Sequence, residues 1–246
     1  PNFIVKKLQN FIKNNIILTD SFIIKKALIK NNFVHKINFG VNLSYFKNKK
    51  VRKKYKNKQI IFCPRGYSAI YNQRLILKFI KKNKKKLKNF LFVFSGMIEI
   101  NEYNKIRNFI KKFEINNNVI LYGSLKKDKY IKYLREAFLV VSASKSDAGL
   151  SSAIAEAMSC EALVMCTNNR DNPYWIKPKK NGFLFDNNNL EDFSKKFFEI
   201  SSLSKNKINV IKKNARKIQQ ENNNLSSEMK KVYRIYNLIY KKNNQL

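Results

Sequence analysis

Short apolar segments alternate with longer amphipathic segments along most of this chain of 246 residues. The apolar segments end at small or turn-forming residues, which is typical of buried parallel strands. The segments between them repeat apolar residues at helical spacing. Strands are therefore expected near residues 59–63, 90–94, 118–122, 138–142, 162–166 and 182–185. The alternation predicts an α/β fold with a Rossmann-like, doubly wound parallel sheet.

The segment from Val140 to Cys166 carries the clearest chemical pattern. An apolar run ends at small residues and Gly149, and an amphipathic helix is predicted to begin there. Its polar face is expected to carry Gly149, Ser152, Glu156 and Ser159. A loop that leaves a buried parallel strand presents unpaired N–H groups and the positive end of the helix dipole, which together favour a phosphate.

This segment resembles the nucleotide-sugar segment of family-four glycosyltransferases of the GT-B fold, and Glu156-Ala157-Met158 matches that family's Glu-Ala-Met directly. The resemblance implies that Glu156 holds the donor ribose and that Asp147 contacts the sugar hydroxyls, so these two are the candidate catalytic residues. Asp147 lies nine positions before Glu156, whereas the family usually has eight. Asp147 could instead be a helix N-terminal acid that favours the dipole.

The resemblance also implies a diphosphate site. The strand 59–63 ends at Pro64-Arg65-Gly66, where the family places an arginine that holds the donor diphosphate. Arg65 is therefore expected to bind the diphosphate together with the N–H groups of four loop residues, which are Gly149, Leu150, Ser151 and Ser152. The two serines also suit helix capping.

Three further positions follow from the same resemblance. The family's additional lysine would fall at Tyr71 or Asn72, so Arg74 is considered as the second cation. The nucleobase is expected near Ser124 and Leu125, just beyond the strand that ends at Gly123. Glu161 stands where the family has glycine, so the turn after the helix is expected to close with a different backbone conformation.

The resemblance covers most of residues 16–200 and implies the second half of a GT-B glycosyltransferase. Residues 1–48 are expected to be the tail of the N-terminal acceptor domain and a linker, and residues 49–203 the nucleotide-sugar-binding domain. Residues 204–246 are expected to be a C-terminal helix that packs back toward the first domain and has little to dock on. The opening run, residues 3–12, is predicted to be a helix, either of the first domain or on a membrane surface. The chain is thus expected to be a fragment or the product of a split gene, inactive alone.

The net charge of +35 ordinarily suggests a nucleic-acid or anionic-membrane partner. Lys, Asn, Ile and Phe are all abundant and share A- and T-rich codons, so a biased genome accounts for much of the charge. No nucleic-acid partner is expected. Peripheral contact with the inner face of a membrane is an expectation, because acceptors of the resembling family are often membrane-borne and basic clusters bind anionic lipid.

The cysteine content and the hydropathy of the chain exclude several classes of protein. The three cysteines form no Cys-x-x-Cys, so neither a zinc site nor a disulfide framework is supported, and a reduced, cytoplasmic setting is expected. No apolar stretch approaches the length of a transmembrane helix. No metal is expected, since cationic and dipolar groups can do the work, and no cofactor is expected beyond a nucleotide-diphosphate sugar as co-substrate.

The expected activity is transfer of a hexosyl or other glycosyl group, with retention of configuration, from a nucleotide-diphosphate sugar to a glycan or glycolipid acceptor. Three alternatives stay open. They are another GT-B enzyme, such as a phosphorylase or nucleotide-sugar epimerase, a non-catalytic nucleotide-sugar-binding remnant, and a basic nucleic-acid-binding protein.

Overall fold

The computed structural model describes residues 15–28, 33–49, 55 and 57–243. The helix predicted at residues 3–12 lies outside these residues. Within them the strands are β1 (Ile17–Thr19), β2 (Val34–Lys36), β3 (Gln59–Cys63), β4 (Phe90–Phe94), β5 (Val119–Leu121), β6 (Leu139–Ser142), β7 (Val164–Asn168) and β8 (Phe183–Asp186). The helices are α1 (Phe22–Ala27), α2 (Gln73–Asn83), α3 (Ile100–Lys112), α4 (Lys127–Glu136), α5 (Ser152–Ser159), α6 (Asn172–Trp175), α7 (Leu190–Ser201), α8 (Lys205–Asn222) and α9 (Leu225–Asn243).

Strands β3 to β8 form one parallel sheet in the order β5-β4-β3-β6-β7-β8, and β1 pairs with β2 in a separate parallel pair. The strand order reverses between β3 and β6, where Ile61 lies opposite Leu139. In open α/β sheets, the carboxyl ends of the strands at such a switch point border a crevice. The α/β, doubly wound fold predicted from the sequence is confirmed.

Helices cover both faces of this sheet, so alternate strand residues enter two separate cores. On β3, Ile61 and Cys63 contribute to one core, against α2, α3 and α7. Ile60 and Phe62 contribute to the other core, against α4 and α5. Burial on both faces explains why the strands read as continuous apolar runs. The sheet strands differ from the predicted bounds by at most two residues at either end.

The C-terminal residues form two helices rather than the single predicted helix. The chain leaves helical geometry at Asn223, whose N–H donates to the Gln219 carbonyl, and resumes at Leu225. At this break the Val41 N–H donates to the Asn223 carbonyl at 2.7 Å, and the Leu225 N–H donates to the Val41 carbonyl at 3.1 Å. The expectation that this segment has little to dock on is therefore wrong, because the break pairs with the segment after β2.

The turn after α5 also differs from the expectation. Glu161 adopts the left-handed conformation, with φ of 56°, that glycine takes most easily. The Glu161 N–H donates to the Met158 carbonyl and the Ala162 N–H to the Ala157 carbonyl, which is the Schellman pattern. The Glu161 carboxylate accepts a bond of 2.7 Å from the Asn48 amide. The turn thus takes a left-handed conformation that suits glycine, although the residue is glutamate.

Candidate functional site

The candidate site lies at the switch point of the sheet, between the carboxyl ends of β3 and β6. Arg65 follows β3 by two residues, and the loop 143–151 connects β6 to α5. Because parallel strands end at the same edge, the adjacency of β3 and β6 brings Arg65 to this loop.

The structure brings Arg65, Asp147 and Ser151 into direct contact. Nη2 of Arg65 lies 2.8 Å from Oδ1 of Asp147, and Nη1 donates to Oγ of Ser151 at 2.8 Å. The guanidinium stacks on the Tyr71 ring, 4.4 Å from its centroid. The Arg65 carbonyl accepts a bond from the Gln73 amide of α2. The cation is thus held from three sides, with 17% of its side chain exposed.

Asp147 is a buried carboxylate that has a single ion partner, Arg65, among the described residues. Its side chain is 5% exposed, and Oδ2 accepts no hydrogen bond within the described residues. Burial raises the pKa of Asp147, and the neighbouring Arg65 charge and a side-chain hydrogen bond with Ser144 partly oppose this shift.

Gly149 shapes the loop rather than offering a free N–H. Its N–H donates to Oδ2 of Asp171 at 3.0 Å, and its φ is 67°. A Cβ at this position would meet the Asp20 carboxylate, so both the conformation and the space require glycine. Asp171 also accepts from the N–H groups of Phe22 and Ile23, each at 3.1 Å, and so joins the start of α1 to the loop.

The N–H groups of Leu150, Ser151 and Ser152 remain available at the start of α5. In the part of the chain that the structure describes, they donate to no acceptor. Ser151 is the N-cap residue by position, yet its hydroxyl accepts from Arg65 and makes no capping bond. Three open donors, the positive end of a helix and an arginine therefore converge on one place, which is suited to an anion.

The end of β7 fixes the first half of this loop. The Thr167 hydroxyl and the Asn169 amide both donate to the Ser144 carbonyl, at 2.6 and 2.7 Å. Neither residue was predicted to belong to the site. These bonds, with the bond from Gly149 to Asp171, hold the loop by polar contacts from the neighbouring strand.

Glu156 lies one turn into α5 and is half-buried. Its Oε2 accepts a hydrogen bond of 2.6 Å from the Tyr130 hydroxyl of α4, and Tyr130 packs edge-on against Phe62. Burial raises the pKa of Glu156, and the bond from Tyr130 and the charge of Lys127 oppose the shift. Tyr130 thus orients one carboxylate oxygen, a contact that the sequence analysis missed because it joins two helices.

The other face of Glu156 borders a small cavity that the sequence analysis did not foresee. Asp20 and Trp175 also line it, and in the described residues Oδ2 of Asp20 and Nε1 of Trp175 have no hydrogen-bond partner. Burial raises the pKa of Asp20. Of the other polar-face residues predicted on α5, Ser152 is exposed and Ser159 is buried, with its hydroxyl donating to the Ala155 carbonyl.

The predicted base segment lies at the same edge of the sheet. Ser124 is exposed, and Leu125 is half-buried against the core that includes Tyr130. The Gly123 carbonyl accepts from the Gly96 N–H at 3.3 Å, which joins this segment to the end of β4. The base segment is therefore separated from Arg65 by the loop that follows β4.

Arg74 does not join the site. Its guanidinium makes two contacts with the Glu102 carboxylate of α3, at 2.6 and 2.7 Å. The suggestion that it is a second cation is not supported by this geometry, because a bidentate ion pair already uses its charge. Tyr71, at one of the positions where the family has lysine, instead supplies the ring under Arg65.

The described residues contain no cluster of three or more histidine, cysteine or acidic side chains that could hold a metal ion. Within the same residues, no helix combines the length and the apolar character needed to span a membrane.

A doubly wound parallel sheet of this topology defines a Rossmann-like domain of the GT-B class, as predicted. The family model described as "Glycosyl transferases group 1" matches residues 44–218, and the chain belongs to this family. The class of the protein is thus that of a glycosyltransferase. No curated protein matches the chain in a sequence search.

Solved structures share the fold at low sequence identity. A glycosyltransferase from Rickettsia africae is 22% identical, with a TM-score of 0.88, over 98% of this chain and 68% of its own. Sucrose-phosphate synthase from Thermosynechococcus elongatus is 13% identical, with a TM-score of 0.83, over 98% and 63%. Anabaena HepE, in complex with UDP and glucose, is 14% identical, with a TM-score of 0.79, over 90% and 63%. The chain thus spans about two thirds of the length of these proteins.

Proposed function

We propose that this chain binds a nucleotide-diphosphate sugar in the crevice between β3 and β6 and provides the donor-binding half of a retaining glycosyltransferase. The observation that carries the proposal is the convergence of Arg65 with the open N–H groups of residues 150–152. The family of the chain supports it, and so does the likeness to HepE, whose structure contains UDP and glucose.

In this proposal the departing diphosphate is the group that the site stabilises. Arg65 and the N–H groups of Leu150, Ser151 and Ser152 neutralise the charge that develops when the glycosyl bond breaks. An arginine contributes about 1.5–3 kcal/mol for each charge-assisted bond, and a helix N-terminus about 0.3–2 kcal/mol. Fixed cationic and dipolar groups therefore suffice, and the proposal requires neither a metal nor a cofactor.

The other candidate residues take the remaining parts of the donor. Glu156 would accept from the ribose hydroxyls with the carboxylate oxygen that Tyr130 leaves open, because Tyr130 engages only Oε2. Asp147 would accept from hydroxyls of the transferred sugar through Oδ2, which has no partner among the described residues. Ser124 and Leu125 would border the base.

We further propose a hexosyl donor and a glycan or lipid-linked acceptor. Residues 1–48 would belong to the acceptor half, residues 49–203 to the donor half and residues 204–246 to the segment that returns to the acceptor half. Turnover would then require the complete acceptor half. A cytoplasmic protein with peripheral membrane contact fits the net charge of +35, and nucleic acid is not a proposed partner.

Titration calorimetry against UDP, GDP and ADP sugars tests the proposal. Arg65→Ala and Glu156→Ala should each weaken binding of the preferred nucleotide sugar by about 1–3 kcal/mol, through loss of charge-assisted bonds. The exposed residues Arg107 and Glu221 provide matched controls, since Arg107→Ala and Glu221→Ala remove the same groups from residues outside the predicted site. Equal affinity in wild type and both site variants would contradict the proposal.

A further inference from the structure

We infer that Asp147 competes with the donor diphosphate for Arg65 and thereby disfavours the nucleoside diphosphate product relative to the intact nucleotide sugar. The inference rests on the proposed function and adds a discriminating role for Asp147 in the same site. It starts from the ion pair of 2.8 Å between Arg65 and Asp147.

The guanidinium is already engaged where a diphosphate would bind. Nη2 of Arg65 faces Asp147 and Nη1 donates to Ser151, while Nε is buried without a partner among the described residues. Arginine offers five N–H donors in a fixed planar arrangement. Two of these donors are engaged, by Asp147 and Ser151, so a phosphate that pairs with both Nη groups shares Nη2 with the Asp147 carboxylate or displaces it.

Displacement leaves Asp147 in an unfavourable state. Its side chain is 5% exposed, so a carboxylate that loses Arg65 becomes an unpaired charge in a buried position. A diphosphate that takes Nη2 of Arg65 from Asp147 therefore carries this penalty.

An intact nucleotide sugar can remove this penalty, and a nucleoside diphosphate cannot. The hydroxyls of a sugar on the outer phosphate can donate to the released carboxylate, and hydrogen bonds to a charged acceptor are strong. After transfer the diphosphate has no such hydroxyls next to Asp147. The carboxylate then competes for Arg65 again, which favours departure of the product.

The test is a comparison of dissociation constants for each nucleoside diphosphate and its nucleotide sugar in wild type, Asp147→Asn, Asp147→Ser and Arg65→Ala. Both Asp147 variants remove the competing charge at similar or smaller size, and circular dichroism reports their folding. We expect Asp147→Asn to tighten nucleoside diphosphate binding about three- to tenfold, between the small effect of an exposed ion pair and the large effect of breaking a buried one. The preference for the nucleotide sugar over the diphosphate should fall by at least that factor.

The outcomes distinguish failure of the inference from failure of the proposed function. If wild type binds nucleotides more tightly than Arg65→Ala, but both folded Asp147 variants bind the diphosphate equally or more weakly, the inference is overturned and the proposed function stands. If no nucleotide or nucleotide sugar binds wild type or any variant, the proposed function fails and the inference with it. Glu114→Gln provides the matched control, because it removes an exposed carboxylate outside the site and should not tighten binding.

Discussion

Asp171 gives the sharpest test of how the candidate site is held. Its side chain is fully buried, and its carboxylate accepts from the N–H groups of Phe22, Ile23 and Gly149, at 3.0–3.1 Å. Two of these donors belong to the first turn of α1 and the third to the loop before α5. Asp171→Ala removes all three acceptor contacts at once, whereas Asp171→Asn keeps the shape and removes the charge.

The size of the expected loss follows from the three bonds. An N–H group that loses a buried acceptor costs about 1–3 kcal/mol, and loss of an acceptor at a helix N-terminus costs about 0.5–2 kcal/mol. The donors at Phe22 and Ile23 are only partly buried, so water replaces part of their loss. We therefore expect Asp171→Ala to lower the free energy of unfolding by about 3–5 kcal/mol, and Asp171→Asn by about half of that.

Urea unfolding measures the free energy of unfolding of each variant. Hydrogen exchange of the Gly149 amide reports directly on how firmly the loop before α5 is held. Asp128→Ala serves as the control, because Asp128 is an exposed aspartate in the first turn of α4. Exchange at Gly149 should accelerate in both Asp171 variants and stay unchanged in the control. A loss below about 1 kcal/mol in Asp171→Ala, with unchanged exchange at Gly149, would refute the reasoning, because it would mean that these bonds contribute little net energy.

Two further predictions concern stability. Gly40 has φ of 76°, and a Cβ there would lie 2.5 Å from the Leu225 Cα, so Gly40→Ala should lower the free energy of unfolding by at least about 1–2 kcal/mol. Thermal denaturation measures this loss, with Gly123→Ala as the control, because a Cβ at Gly123 meets only a side-chain carbon at 3.4 Å. Equal losses in the two variants would contradict the prediction. Burial raises the pKa of Glu156. Its contribution to the stability of the fold is therefore most favourable below the ordinary glutamate pKa and is lost as the pH rises through the raised pKa. Glu156→Gln keeps an acceptor for Tyr130 and should therefore raise the melting temperature at neutral pH but not near pH 3, and a pH-independent difference between the two proteins would contradict this.

The fold was predictable because its signal is local. Strands such as Gln59–Cys63 and Phe90–Phe94 are buried on both faces, and this requirement produces apolar runs that can be read directly. The positions of Arg65 and Asp147 at one edge follow from the same rule, since both come just after parallel strands. The family resemblance then supplied the order of the elements, which the family model supports over residues 44–218.

The contacts within the site were harder to predict from the sequence. Asp171 binds N–H groups that lie 149 and 22 residues away in sequence, and no periodicity records such a pairing. Tyr130 reaches Glu156 from another helix, and its spacing along α4 shows only that it faces inward. The helix end at Glu161 was mispredicted because a residue other than glycine accepts positive φ when side-chain contacts offset the strain.

The pairing of Val41 with Asn223 and Leu225 has a consequence for modularity. The polypeptide enters and leaves the large sheet-containing body at one point, so residues 42–223 behave topologically as an insert with adjacent ends. The region that matches the family model, residues 44–218, falls inside this insert. Adjacent ends are the condition under which domain insertion and circular permutation succeed most often. Excision at these ends would also separate Asp171 from the N–H groups of Phe22 and Ile23, so both junctions can be placed at one site of a host protein only if α1 is carried along.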